Sequence, residues 1–245
     1  MKRALVTGGS HGLGRALVGL LLERGYEVVS VDRADGVPSG AMRIACDLAD
    51  RHAVDRTMAT IVAAGPYELA VFNAGVSATG RFEDMPLDAY RRMMTVNAET
   101  PLVMAASLMK ARAVTRHLCL VSSLSHFTGY PGAAVYAASK DVIAGYAKSV
   151  RKPFAALGVS VTLACPGPMR TDQAERHAPE GADAGRRMDP AAAAGAILDA
   201  TLAGRRLVIP GRAPKLFALT GRLLPGAATR QMRRLILDRL SGPVW

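Results

Sequence analysis

The segment from Ala4 to Asp32 limits the fold more than any other part of the chain. A short β-like run, Ala4 to Thr7, leads into Thr7-Gly8-Gly9-Ser10-His11-Gly12-Leu13-Gly14. An amphipathic helix follows, with Leu13, Leu17, Leu20 and Leu21 at helical spacing and a stop at Gly25. A second strand, Glu27 to Val31, ends in Asp32. Glycines let a backbone approach a pyrophosphate, and a helix N-terminus offers free N–H groups at the positive end of its dipole. The unit therefore reads as half of a dinucleotide-binding fold. A plain strand-to-helix turn would explain the glycines alone, since Gly-x-x-x-Gly-x-Gly is looser than the common fingerprint; Asp32 weighs against that reading. Gly8, Ser10, His11, Gly12, Leu13 and Gly14 are the expected cofactor contacts of this turn. Asp32 can accept from ribose hydroxyls and would repel a 2′-phosphate, so NAD is expected over NADP. Arg33 and His11 can offset that repulsion and keep NADP open.

The pattern continues downstream. A strand from Met42 to Ala45 leads to Cys46-Asp47-Leu48 and a helix from about Asp50 to Ala64. Asp47 suits either an adenine amino group or the helix N-cap, with Leu48 beside it. The strand Leu69 to Phe72 ends in Asn73-Ala74-Gly75, small residues that permit close approach beneath a cofactor. Four β-rich runs separated by helices predict a parallel sheet. Leu87 to Ala113 reads as helix with a weak point at Pro101, which cannot donate to the carbonyl of Asn97. The next strand, Leu118 to Val121, delivers a serine pair, Ser122-Ser123, then a Gly/Pro loop and Tyr136-x-x-x-Lys140. At i and i+4, Tyr136 and Lys140 share a helix face.

Taken in order, Thr7-Gly8-x-x-x-Gly12-x-Gly14, Asn73-Ala74-Gly75, Asn97, Ser123, Tyr136-x-x-x-Lys140 and Pro166-Gly167-x-x-x-Thr171 resemble the short-chain dehydrogenase/reductase family. The resemblance runs from the N-terminus to about Pro210. It implies an α/β, doubly wound Rossmann-type fold with a seven-stranded parallel sheet flanked by helices. It also implies hydride transfer between a nicotinamide and a secondary alcohol or ketone. The implied catalytic set is Asn97, Ser123, Tyr136 and Lys140, with Asn97 positioning a water that links Lys140 to solvent. Physical chemistry supports the tyrosine separately. A phenol of pKa about 10 is a poor base, and an ammonium about 5 Å away at a dielectric of about 20 is worth roughly 3 kcal/mol, enough to predict a lowered Tyr136. Ser123 can hold the substrate oxygen, and Lys140 the nicotinamide ribose. A non-catalytic dinucleotide sensor with the same fold is the alternative, though it would have no use for an acidified phenol.

Beyond Lys140 the helix is expected to kink or end early at Pro153. A strand from Val159 to Ala164 leads to Cys165-Pro166-Gly167-Pro168-Met169-Arg170-Thr171, where Pro166, Gly167, Met169 and Thr171 are expected to meet the nicotinamide carboxamide. Asp172 to Met188 lacks periodicity and reads as a mobile lid. Its Arg176, His177, Arg186 and Arg187 suit either an acidic substrate or a solvated surface. A helix from Pro190 to Leu202 and a strand from Leu207 to Ile209 complete the sheet.

Composition excludes several classes. No segment is apolar enough to span a membrane, and the N-terminus lacks a secretory apolar run, so the cytosol is expected. Cys46, Cys119 and Cys165 are far apart and read as core residues rather than metal ligands. The formal charge of +11 is concentrated in the tail: from Arg205 onward there are nine basic residues and one acid. With no recognition-helix pattern, zinc spacing or aromatic–basic interleaving, nucleic acid is not the expected partner. The dinucleotide-binding and catalytic domain is placed at residues 1–210. Residues 211–245 form a basic amphipathic extension, with Met232, Leu235, Ile236 and Leu240 on one helical face. Three readings fit that extension: a contact to a lid or partner subunit, an interfacial helix at the inner face of a membrane, or a flexible tail. The family resemblance implies a homodimer or homotetramer.

Overall fold

Strands and helices alternate along the chain in the computed structural model, which describes residues 2–240 and 242–245. The side chain of Arg186, one of the basic lid groups, lies outside the described residues. The first half runs β1 (Arg3–Thr7), α1 (Gly12–Glu23), β2 (Glu27–Asp32), β3 (Met42–Ala45), α2 (Arg51–Ala63) and β4 (Tyr67–Phe72). Next come α3 (Leu87–Met94), α4 (Thr100–Lys110), β5 (Val114–Val121), α5 (Ser125–Thr128) and α6 (Ala134–Ala155). Then follow β6 (Ser160–Ala164), α7 (Asp172–Arg176), α8 (Pro190–Leu202), β7 (Leu207–Val208), α9 (Arg212–Leu223) and α10 (Pro225–Leu235).

The strands form one seven-stranded sheet, β3-β2-β1-β4-β5-β6-β7, parallel throughout. Alternation along β1 divides the core into two layers. Leu5 points to the side packed by Met104 and Leu108 of α4 and Ile143 of α6. Ala4 and Val6 point to the side packed by Leu17 and Leu21 of α1 and Ile197 of α8. Strand order reverses between β1 and β4, and open sheets of this kind bind ligands beyond the strand ends at that switch point.

Four local expectations are corrected. The break in the long helix falls at Thr95–Glu99, a π-helical turn in which the Thr100 N–H reaches back to the Thr95 carbonyl, and Pro101 sits harmlessly in the first turn of α4. α6 continues through Pro153 to Ala155, because only its last turn must do without that N–H. The lid is partly ordered as α7, capped by Thr171, whose hydroxyl accepts from Ala174 N. The cap of α2 is Asp50, accepting from Ala53 N, while the Asp47 carboxylate takes Ala49 N at 3.0 Å.

In the tail, α10 ends at Leu235, so Ile236 and Leu240 do not continue its face. They cover Gly132 instead, where an added Cβ would stand 3.0 and 2.9 Å from their side chains. Val244 pairs antiparallel with Thr79 through hydrogen bonds of 2.8 and 2.7 Å. The extension thus lies across the loops that follow β4 and β5.

Candidate active site

The crevice is assembled by strand ends drawn tightly together. Thr7 Oγ accepts from the N–H groups of Asn73 (3.0 Å) and Ala74 (3.1 Å), and Asn73 Nδ2 donates to the carbonyls of Thr7 and Gly8. Gly8 has φ +74°, and a Cβ on Gly14 would lie 1.8 Å from the Gly8 oxygen, so neither position tolerates a side chain. α1 begins after His11 with no side-chain cap and no acid in its first turn, which leaves its N–H groups and dipole available to an anion. These features fit a dinucleotide pyrophosphate. Leu13 is buried in the core, and the Ser10 hydroxyl is spent on the Ala34 carbonyl at 2.9 Å, so both hold the turn in shape.

Asp32 is more heavily engaged than its sequence position suggests. Its two oxygens accept from Ser10 N (2.9 Å) and Ala34 N (3.0 Å). Arginines gather around it: Arg43 donates to the Asp32 carbonyl at 3.2 Å and pairs with Asp35, Arg15 reaches the Gly36 carbonyl, and exposed Arg33 stands 3.9 Å from Asp47. Leu48 is buried, its carbonyl accepting from Thr100 Oγ at 2.8 Å.

At the other side of the crevice, the end of β5 and the first turns of α6 bring Ser123, Tyr136 and Lys140 together. Ser122 is a structural residue, donating to the Lys140 carbonyl at 2.8 Å. Ser123 stands beside the Tyr136 phenol. Lys140 is buried, donates to the Val121 carbonyl at 3.1 Å and lies 5.8 Å from the Tyr136 ring centroid. Burial holds Lys140 down at about 8. Burial also raises Tyr136, and neighbouring Ser123 opposes it. The expected lowering of Tyr136 by Lys140 is thus not found, because desolvation wins.

Gly75 is the meeting point of the set: a Cβ there would stand 3.1 Å from Lys140 Nζ and 3.3 Å from Asn97 Oδ1. The Asn97 amide is fully used, accepting from Val76 N at 2.8 Å and donating to the Val76 carbonyl at 2.8 Å and to Ser139 Oγ at 3.1 Å. Across the crevice a Cβ on Gly12 would meet the Thr171 methyl at 3.0 Å, so the Pro166–Thr171 loop closes on the glycine turn. Met169 of that loop bridges to Met188, and Gly167 packs near Pro214 of α9. With its oxygen capping α7, Thr171 keeps its O–H to donate.

Two residues gain importance that sequence reasoning missed or left among alternatives. Tyr130 stacks edge-on against Tyr136 with centroids 6.2 Å apart, and burial pushes it up to about 12. Its only signal in the sequence was an aromatic six residues ahead of Tyr136. Arg187, one of four basic lid residues, has a side chain only 9 % exposed, and its Nη1 has no hydrogen-bond partner; Glu175 is 3.9 Å away. Its charge acts on Tyr130, which stacks against Tyr136.

A doubly wound parallel sheet whose switch point carries an open helix N-terminus, facing a Ser–Tyr–Lys cluster, defines a dinucleotide-dependent oxidoreductase. Residues 2–181 match the family model for short chain dehydrogenases, and the chain belongs to that family. It resembles the 3-oxoacyl-[acyl-carrier-protein] reductase MabA of Mycobacterium tuberculosis, 31% identical over 174 residues that make up 70% of each chain. An uncharacterized oxidoreductase of Myxococcus xanthus is 33% identical over 70% of this chain and 73% of its own. Among solved structures, a short chain dehydrogenase from Burkholderia cenocepacia in complex with NADP superposes with a TM-score of 0.81 at 23% identity, covering 95% of this chain and 99% of that one. The protein is accordingly a nicotinamide-dependent oxidoreductase acting on CH–OH or C=O groups, and the sensor alternative is not favoured. Among the described residues no helix is long and apolar enough to cross a membrane.

Proposed function

We propose that Tyr136 exchanges the proton with the oxygen of a secondary alcohol or ketone while Ser123 holds that oxygen. The convergence of Ser123, Tyr136 and buried Lys140 at the end of β5 and the start of α6 carries this reading, with Lys140 Nζ 5.8 Å from the Tyr136 ring centroid. When bound, the nicotinamide accepts or supplies the hydride. In the reductive direction the Tyr136 phenol donates its proton to the substrate oxygen, and Ser123 stabilises the charge developing there. Lys140, its ammonium weakened by burial, restores that proton and holds the ribose. The water that resupplies Lys140 is placed at the backbone carbonyl of Asn97, since its amide is occupied by Val76 and Ser139 and Pro101 offers no N–H to the carbonyl. The remaining assigned contacts follow the crevice: Gly8, Ser10, His11, Gly12, Leu13 and Gly14 for the pyrophosphate, Asp32, Arg33, Asp47 and Leu48 around the adenosine, Asn73, Ala74 and Gly75 beneath it, and Pro166, Gly167, Met169 and Thr171 at the carboxamide.

The cofactor reading favours NADP. The expectation of NAD rested on Asp32 repelling a 2′-phosphate, but Asp32 is buried, each of its oxygens takes a backbone N–H from Ser10 or Ala34, and Arg33 and Arg43 stand beside it to offset its charge. NADP or NADPH is named with the solved proteins of Burkholderia cenocepacia and Sphingobium yanoikuyae. The buried Nη1 of Arg187, without a hydrogen-bond partner and 3.9 Å from Glu175, supports a substrate carrying an anionic group. A second copy of the chain is assigned to the outer faces of α4 and α6, where Val103 and Val142 are exposed. The test of the central reading is Tyr136→Phe assayed with both cofactors on a panel of ketones and alcohols. Cofactor binding should persist and turnover fall by about two to four orders of magnitude; undiminished turnover would refute the role of the phenol.

A further inference from the structure

α9 is built inside out. Its small residues Ala218 and Gly221 are buried against the body, whereas Leu216, Leu219 and Leu223 are 65%, 53% and 70% exposed, and the following Leu224 is 60% exposed. Spaced i, i+3 and i+7, Leu216, Leu219 and Leu223 form one outward stripe. Arg212, Lys215 and Arg222 flank it, and α10 adds exposed Arg230, Arg233 and Arg234. The sequence has no Asp or Glu between Asp199 and Asp238.

Behind Arg222, between α6, β6, β7 and α9, lies a cavity of about 500 Å³. Lys148, Arg151, Arg206, Arg222 and His126 all line it, and no acidic residue does. Arg151 donates to the Arg206 carbonyl at 2.6 Å, yet its Nε is buried without a partner. Burial and the charge of Arg206 both lower Arg151. The carboxylate of Asp141, on α6, is held by His126 at 2.7 Å. Cations converging on one cavity repel each other, and guanidinium forks match phosphate oxygens. The leucine stripe beside them needs an apolar phase. A second copy would set cations against cations, and a nucleic acid would leave the leucines in water.

We propose that α9, α10 and this cavity dock the protein on an anionic phospholipid surface. A headgroup phosphate enters the cavity, and Leu216, Leu219 and Leu223 enter the acyl boundary. The surface lies outside the dinucleotide crevice, so the proposal stands apart from the reading of the active site.

The test is co-sedimentation of the full chain with vesicles of phosphatidylcholine alone or mixed with phosphatidylglycerol. Wild type should bind the mixed vesicles only. Both Leu216→Gln/Leu219→Gln/Leu223→Gln and Arg151→Gln/Arg206→Gln should lose about tenfold or more of that binding while keeping dinucleotide affinity, which reports folding. Wild type remaining in the supernatant, equal binding to both vesicle types, or an unaffected leucine variant would each overturn the proposal. Stabilisation by inorganic phosphate without vesicle binding would assign the cavity to a soluble anion and overturn it. A wild-type dimer dissociated by the leucine variant, with no vesicle binding, would assign the stripe to a second copy and overturn it as well.

Discussion

Gly221 of α9 faces the carbonyl of Phe127 so closely that a Cβ on the glycine would stand 2.1 Å from the oxygen. Phe127 belongs to the segment that follows Ser123, so the basic extension is packed directly on the loop that positions the serine. Gly221→Ala must push α9 off that loop. The expected result is a loss of about 1–3 kcal/mol in stability together with reduced kcat, read by denaturant unfolding and steady-state assay. Unchanged values for both would separate the extension from the site.

Lys140 makes a prediction with a definite sign. Burial lowers it from 10.5 to about 8, so the folded chain carries the cost of a buried ammonium below pH 8. Between pH 8 and 10.5 the folded state binds fewer protons than the unfolded state, and stability rises with pH. Lys140→Met should therefore abolish turnover yet exceed wild type in stability at pH 7 by up to about 3 kcal/mol, with the gap closing by pH 10.5. Denaturant titrations across that window measure it, and a gap that widens with pH would contradict the assignment.

Cofactor choice rests on the Asp32 neighbourhood. Arg33→Ala should weaken NADP about tenfold and leave NAD nearly unchanged, as expected for one charge-assisted contact to a 2′-phosphate. Asp32→Ala should weaken both, because Ser10 N and Ala34 N lose their shared acceptor. Fluorescence titration of each variant with both dinucleotides distinguishes these outcomes.

Arg187 is predicted to select substrates. Its buried Nη1 has no hydrogen-bond partner, with Glu175 3.9 Å away, and a guanidinium cannot discharge itself by losing a proton. Arg187→Gln should reduce kcat/KM for carboxylate- or phosphate-bearing substrates by about 10- to 100-fold and spare neutral ones, in a panel that compares matched pairs. An equal loss on both would make the residue structural.

Much of this was legible because it rests on local rules. The glycine turn, the strand-end Asp32, the i and i+4 pair of Tyr136 and Lys140, and helix α8 from Pro190 to Leu202 each follow from short-range spacing. What stayed hidden depends on packing across the chain. The raised phenol of Tyr136 reflects burial that no spacing reports. The outward leucines of α9 were readable as amphipathic, but not which face would be buried, since that was decided by room for Ala218 and Gly221 against α5. Asn97 was expected to position a water, but that its amide is taken up by Val76, 21 residues away, could not be read from the chain.

The π-helical turn at Thr95–Glu99 acts as a phase shifter. One extra residue in a turn rotates everything beyond it by about 100° relative to a regular helix. Asn97 can therefore face Val76 in the crevice while Met104 and Leu108, on the same run of backbone, face the sheet. Shortening the run by one residue would leave a tidier helix able to satisfy only one of those two directions.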